Sequence, residues 1–254
     1  MEPEAVGESV EETGAAKPRN FFSRLGGVYF SPGEAFKEIG RSPSVGAVIT
    51  ALAIIGAISG FWLGQKLDFG ALWSQSVAEG KMTLEQANQA SAVVSKVLPV
   101  ILPIGSAVGS LLVTLVIAAI FKLISLFIST ENRFKAVFAV TAFTMIAVSI
   151  VQTILLVVVL SFKQPADLSI ANLSSVVASS LGALLSSTLG DNALPKFVMK
   201  LADFVDIFRI WTVVLLAIGY AAVSRKLKTS TAATWIGGLY AVLALISAAI
   251  MSRS

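Results

Sequence analysis

Five predominantly apolar blocks of about twenty residues constrain this chain more than any other feature of its sequence. A helix rises 1.5 Å per residue, so about twenty residues cross the ~30 Å hydrocarbon layer of a bilayer. Only 13% of the 254 residues are charged, and a water-soluble domain has no core large enough for so much apolar surface. The sequence therefore predicts an all-α polytopic membrane protein, a five-helix transmembrane bundle over residues 44–254. Its spans are expected at about residues 45–64, 100–121, 136–162, 206–223 and 232–251.

The sequence before the first span divides into two parts. Residues 1–20 carry five glutamates and no apolar run, which predicts a disordered acidic tail. Residues 21–43 place apolar side chains at helical spacing, and Ser31-Pro32 begins a second short helix with a capping serine and a proline in its first turn. This pattern predicts two amphipathic helices on the cytoplasmic membrane surface, with Arg24 near lipid phosphates.

Two polar connections carry further predicted helices. Residues 83–86 have the pattern of a capping box, so a surface helix from about Leu84 leads into the second span, where Pro99 and Pro103 kink or restart it. Residues 173–189 combine apolar positions at helical spacing with seven hydroxyl side chains, which favours an external amphipathic helix over a crossing. Interfacial and shallowly re-entrant placements of that helix both remain open.

Lysine and arginine residues set the predicted orientation, because short cytoplasmic loops retain positive charge. With the N-terminus inside, eleven of the nineteen basic residues fall on the cytoplasmic side, and the others spread over longer external loops. We therefore expect a multi-pass protein of the cell membrane with a cytoplasmic N-terminus and an external C-terminus. Nucleic-acid binding needs basic residues clustered on one folded face, whereas here they mark loop ends, so no nucleic-acid partner is expected.

Glycines recur every fourth residue in the first two spans. Gly56, Gly60 and Gly64 form a ridge in the first span, and Gly105 and Gly109 repeat the pattern in the second. Such ridges let the backbones of two helices approach closely. Packing within one bundle and a seam between the copies of a homo-oligomer both fit this pattern, and packing within one bundle is the commoner case.

Four polar residues fall within or beside the predicted membrane layer. Asp203, Asp206 and Arg209 are spaced three apart, which places them on one slanting stripe of a helix where Asp206 can pair with Arg209. Charges at membrane depth suit an ion or proton route, whereas at the start of the fourth span they suit an interfacial pair. Gln152, in the third span, either lines a pathway or bonds to a neighbouring helix.

The composition excludes most enzyme chemistry. The chain has no histidine and no cysteine, so imidazole bases, thiol nucleophiles, disulfides and Cys/His zinc sites are all excluded. Two neighbouring aspartates would leave most ligand positions of a metal ion empty. Neither a phosphate-binding glycine loop nor the nucleophile elbow of a hydrolase occurs. We expect no catalytic site, no metal and no cofactor.

The segment from residue 25 to residue 39 resembles the N-terminal part of the Yip-domain family, which consists of five-span integral membrane proteins. Ser31-Pro32 and residues 34–36 carry this likeness, and residues 206–211 resemble a D-x-F-x-x-W stretch of prokaryotic members. The resemblance covers about residues 22–251. It implies an N-cytoplasmic five-helix bundle with no established enzymatic activity. Eukaryotic members interact with Ypt/Rab GTPases through a long cytosolic N-terminal region, which here is short and acidic.

Two hypotheses about function follow. The first is a non-enzymatic integral membrane protein that organises lipids or partners, where the partners are the lipid bilayer and another membrane protein or further copies of the chain. The alternative is a small transporter or channel that uses Gln152, Asp203, Asp206 and Arg209. A continuous polar cavity at mid-depth favours transport, whereas a dry interior favours the organising role.

Overall fold

The structure, a computed structural model, describes residues 20–66, 69–128, 131–162, 179–190 and 194–252. Within these ranges the chain is helical apart from caps, turns and one isolated backbone bridge, which confirms the all-α fold class. The helices of the described chain are α1 (Phe21–Phe30), α2 (Pro32–Arg41), α3 (Val45–Lys66), α4 (Phe69–Ala78), α5 (Leu84–Phe127), α6 (Phe134–Phe162), α7 (Leu181–Leu189), α8 (Lys196–Phe204), α9 (Ile207–Val223) and α10 (Thr229–Met251).

Four of the described helices are long and apolar enough to cross a membrane. They contain the spans Val45–Gln65, Leu84–Phe127, Phe134–Val159 and Thr229–Met251. The remaining predicted span corresponds to α9, whose 17 residues rise about 26 Å, less than the ~30 Å of the hydrocarbon layer. The polytopic character of the chain is therefore confirmed, and a fifth crossing by α9 stays a prediction.

Helix α5 is longer than the sequence pattern predicts. The predicted surface helix, the second span at 100–121 and the residues after it form one uninterrupted helix of 44 residues, about 66 Å long. Its start is confirmed as a capping box, because Thr83 and Gln86 exchange bonds of 2.8 and 3.2 Å. Pro99 and Pro103 lie inside the helix and do not restart it, since each proline removes only one backbone donor and the neighbouring residues continue the ladder.

Helices α1 and α2 form a hairpin that packs into the bundle. Val28, Phe36 and Ile39 are fully buried, and α2 lies beside the second half of α9, where Phe36 approaches Gly219. Only part of the hairpin, including Phe22 at the start of α1, remains exposed. Pro32 begins α2 as predicted, although the side chain of the capping serine makes no capping bond. The interfacial position of residues 21–43 therefore stays a prediction for the outer side of the hairpin alone.

Arg24 does not reach lipid phosphates from this hairpin. Its side chain is only 5% exposed because the guanidinium joins α1 to the end of α2. Nε donates to Glu38 Oε1 at 3.2 Å, Nη1 donates to the Ser42 carbonyl at 2.8 Å, and Nη2 donates to Ser42 Oγ at 2.6 Å. The planar donor fork of arginine satisfies three acceptors at once. Arg24 is therefore a structural residue that closes the hairpin.

The first half of α6 forms the centre of the bundle. Val137, Val140, Phe143 and Ile146 are fully buried there, because α1, α2, α3, α5 and α9 all pack around this part of the helix. From Ile154 onward α6 exposes apolar side chains, as expected for a helix whose outer surface contacts lipid. The bundle is thus well packed at the end that holds the α1–α2 hairpin, which we call the hairpin end.

Two sequence-based predictions fall at least in part outside the described residues. Of the expected acidic tail at 1–20, only Asn20 is described, and its side chain caps α1 by accepting from Ser23 N at 2.8 Å. Of the expected helix at 173–189, residues 173–178 lie outside the described residues. The described remainder forms α7, which begins at Leu181.

Candidate functional site

The two glycine ridges have different surroundings. A Cβ atom at Gly56 would lie 2.8 Å from Ala107 Cα, and one at Gly60 would overlap the carbonyl of Leu102, so this ridge is in close contact with α5. At Gly105 and Gly109 a Cβ atom would meet no described atom within 4 Å. The first ridge therefore packs inside the bundle, whereas the second leaves a smooth strip of α5 without a neighbour among the described residues.

A break in the chain separates α8 from α9 at Val205 and Asp206. Asp206 has an extended backbone (φ −125°, ψ 136°), and its carboxylate caps α9: Oδ1 accepts from the backbone N–H groups of Phe208 at 2.9 Å and Arg209 at 3.0 Å. Ser179 Oγ donates to Asp206 Oδ2. The carboxylate is only 7% exposed, and these charge-assisted bonds stabilise it where it is buried.

A second chain segment pairs with the break. Ser180 and Asp206 form an antiparallel bridge, in which Leu181 N donates to the Val205 carbonyl at 2.8 Å and Ile207 N donates to the Ser179 carbonyl at 3.2 Å. Ser180 also caps α7, because its Oγ accepts from the N–H of Ala183 at 3.1 Å. Two helices, α7 and α9, therefore begin side by side at this point.

Arg209 connects the break to α10 through its side chain. Its Nη1 donates to Tyr240 Oη at 2.8 Å, and its guanidinium carbon lies 4.8 Å from the centroid of the Phe204 ring. Tyr240 Oη donates in turn to the Phe204 carbonyl at 3.4 Å. Since Tyr240 is close to the middle of the 23-residue α10, the break lies beside the midpoint of that helix rather than at its end.

The predicted stripe of three charges does not form on one helix, because the break separates its members. Asp203 lies on α8, where it pairs with Lys200 at 3.7 Å. Asp206 meets Arg209 through the backbone N–H and not through the guanidinium. Gln152 is exposed on the surface of α6. Tyr240 is not among the predicted site residues, although it is the one phenol in the apolar α10, and that position could have indicated it.

Two apolar cavities flank the break. The first, of about 270 Å³, lies among α5, α6, α9 and α10, with Arg209 and Tyr240 at one end and Phe121 and Tyr220 towards the other. The second, of about 850 Å³, lies between α6 and α9 and includes Ser179 among apolar side chains. Neither cavity is a polar channel. Within the described part of the chain, no group of three or more acidic side chains is placed to hold a metal ion.

The comparison with protein families gives one match. The Yip1 domain matches residues 26–251, from within α1 to the last residue of α10, and so includes most of the hairpin, the helix break and every described span. No curated protein and no solved structure is similar enough to count as a match. Because the matched range covers most of the 254 residues, this chain belongs to the Yip1 domain family.

Proposed function

We propose that this protein is a non-enzymatic organiser of the membrane, which holds lipids or partner proteins in place without transferring a solute. The observation that carries this proposal is the apolar lining of both cavities beside the helix break. A transport route needs polar groups that replace the water around a solute. At the break those groups are instead engaged with one another, as the capping bonds of Asp206 and the bond from Arg209 to Tyr240 illustrate.

The expected partners are the lipid bilayer and either another membrane protein or a second copy of this chain. The strip of α5 around Gly105 and Gly109 supports the protein partner, since a helix can approach closely there. The distribution of basic residues supports a cytoplasmic N-terminus and an external C-terminus. The location that goes with this orientation in our proposal is the cell membrane.

Cross-linking in cells tests the organising role. The chain has no cysteine, so Val108→Cys places a single thiol between Gly105 and Gly109, and Ile58→Cys places one on an exposed side of α3 as a matched control. We expect the Val108 variant to capture a second copy or one defined membrane protein, and the Ile58 variant to capture neither. If the Val108 variant captures nothing and the purified protein neither oligomerises nor alters the shape of vesicles, the proposal is wrong.

A small transporter or channel is the second candidate, and the helix break supports it. Discontinuous helices that meet near the centre of the bilayer form the substrate sites of many transporters, and the break here lies beside the midpoint of α10. Ion or solute flux into vesicles that contain the purified protein tests this role. A flux that falls in the variants Asp206→Asn and Gln152→Ala would support transport, and an unchanged flux would remove this candidate.

A further inference from the structure

A basic cleft opens at the hairpin end of the bundle, where the last turns of α2 and α9 meet the first turn of α6. Its volume is about 600 Å³, and three arginines line it: Arg41, Arg133 and Arg225. Glu131 supplies the one carboxylate of the lining, and we call this site the arginine cleft. Lys37 adds a further positive charge in an adjoining depression that also contains Arg41.

The positive charge of the arginine cleft is poorly compensated. Within the described residues, no carboxylate lies within 4 Å of Arg41 or Arg133. Glu131 Oε2 lies 3.5 Å from Arg225 Nη1, but both side chains are more than 80% exposed. Water and salt screen such a pair, so Arg225 can exchange its partner at little cost. The cleft therefore presents three guanidinium groups that are available to an anion.

The turn at residues 131–133 forms one wall of the cleft, and hydrogen bonds hold it in place. Lys122 Nζ donates to the Asn132 carbonyl at 2.8 Å and to Asn132 Oδ1 at 2.9 Å, and Asn132 Nδ2 donates to Ser224 Oγ at 3.2 Å. The N–H of Arg225 also donates to the Glu131 carbonyl at 3.2 Å. These bonds fix the residues on either side of Asn132 against the end of α9. Preorganisation of this kind lowers the entropy lost when a ligand binds.

The position of the cleft along the bundle indicates where its ligand comes from. Ala136, in its lining, is the first buried apolar residue of α6, and fully buried residues follow it along the helix. On α9, Val223 lines the cleft less than one turn beyond the buried Tyr220. The cleft thus lies where apolar helix surface gives way to polar turns, which is the level of lipid headgroups in a bilayer.

We propose that the arginine cleft binds the phosphate of an anionic phospholipid headgroup. Arginine suits this ligand because its planar fork donates two parallel hydrogen bonds to a phosphate and keeps its charge at every physiological pH. The cleft lies at the level of the lipid headgroups, so a lipid can place its phosphate there while its acyl chains stay in the adjoining hydrocarbon layer. This position favours a lipid over a free anion. The site stands independently of the organising role, because the cleft lies at the opposite end of α9 from the helix break.

Native mass spectrometry of the full chain tests this site. The detergent-purified protein is mixed with equal amounts of phosphatidylglycerol and phosphatidylcholine, and the ratio of the two bound lipids is measured. We expect phosphatidylglycerol to be enriched, and the combined variant Arg41→Gln, Arg133→Gln and Arg225→Gln to reduce that enrichment about tenfold or more. Lysine at the same three positions should restore part of it.

A charge-matched control distinguishes a site from general attraction. The combined variant Lys81→Gln, Lys196→Gln and Lys200→Gln removes the same charge from residues outside the cleft and should leave the enrichment unchanged. Asn132→Ala keeps every arginine but frees the wall, so it should weaken binding at an unchanged net charge. An equal loss in the control variant, no loss in the arginine variant, or complete displacement of the lipid by millimolar inorganic phosphate would each overturn the proposal. Melting temperatures confirm that each variant is folded.

Discussion

Gly60 sets the distance between α3 and α5 through the absence of a side chain. A methyl group at this position would overlap the carbonyl of Leu102, and backbone atoms cannot move aside as the end of a flexible side chain can. We expect Gly60→Ala to destabilise the protein by about 1–3 kcal/mol, the usual cost of overpacking. Thermal unfolding in detergent measures this loss.

Gly105 is the matched control for that substitution. It belongs to the second glycine ridge, but a methyl group there would meet no described atom within 4 Å. Gly105→Ala should therefore not destabilise the isolated chain, and the higher helix propensity of alanine should stabilise it by up to about 1 kcal/mol. If both alanine variants lose the same stability, the assignment of the first ridge to the α3–α5 contact is contradicted.

Arg24 is expected to stabilise the fold by joining α1 to the end of α2. Removal of its guanidinium takes away the donor of the buried bond to the Ser42 carbonyl and the charge that faces Glu38. We expect Arg24→Ala to lower the free energy of unfolding by about 1–3 kcal/mol, the cost of leaving a buried acceptor without its donor. The same change at the exposed Arg41 should have little effect on stability, and an equal effect at both positions would contradict a structural role for Arg24.

The misplacement of Arg24 illustrates a limit of sequence reasoning at this scale. The spacing of apolar residues identifies which side of a short helix is buried, but it does not identify what buries it. Here the acceptors of Arg24 come from the end of α2, up to twenty residues away. A local pattern gives no information about such a contact.

At the scale of elements, the α1–α2 hairpin is attached to the bundle by Tyr29. Its hydroxyl donates to the Ala147 carbonyl on α6 at 2.8 Å, and its ring lies 6.0 Å from that of Trp211 on α9. We expect Tyr29→Phe to cost about 1 kcal/mol through the lost hydrogen bond. A larger sensitivity of the hairpin to proteolysis should accompany this loss.

The same tyrosine gives the hairpin a pH dependence. Burial raises the pKa of the Tyr29 phenol above its ordinary value of 10.0. Above pH 10 the unfolded chain loses this proton before the folded chain does, so the stabilising contribution of Tyr29 is present below that pH and falls as the pH rises. Melting temperatures between pH 8 and pH 11 should fall less steeply for Tyr29→Phe, and parallel curves for the two proteins would contradict this prediction.

Sequence reasoning located the long helices because length and apolar content are local properties. It placed the starts of α6 and α10 within three residues, at Phe134 and Thr229. It left open a kink or a restart at the two prolines of α5, and no restart occurs. It also expected Asp203, Asp206 and Arg209 on one helix, whereas the chain breaks at Asp206. Both outcomes depend on neighbouring segments. Pro99 and Pro103 stay within a helix whose ladder continues around them. The break at Asp206 rests on the pairing with Ser180, which the sequence alone does not reveal.

At the scale of the whole molecule, the Yip1 domain of this chain is an α-helical bundle packed most closely at the hairpin end. Two polar clusters of the described chain lie at opposite ends of α9, the helix break beside α10 and the arginine cleft. Apolar side chains line the cavities next to the break. This distribution fits a protein that presents surfaces to lipids and partners, with α9 as the element that connects both polar centres.

The number of crossings decides the architecture, because five spans put the termini on opposite sides of the membrane and four put them on the same side. The direct measurement uses the absence of native cysteine: Ser9→Cys and Ser254→Cys are labelled in intact cells with a thiol reagent that does not cross membranes, and again after permeabilisation. We predict that Ser254→Cys reacts in intact cells and that Ser9→Cys reacts only after permeabilisation. Reaction of both thiols in intact cells, or of neither thiol until the cells are permeabilised, would contradict the five-span account.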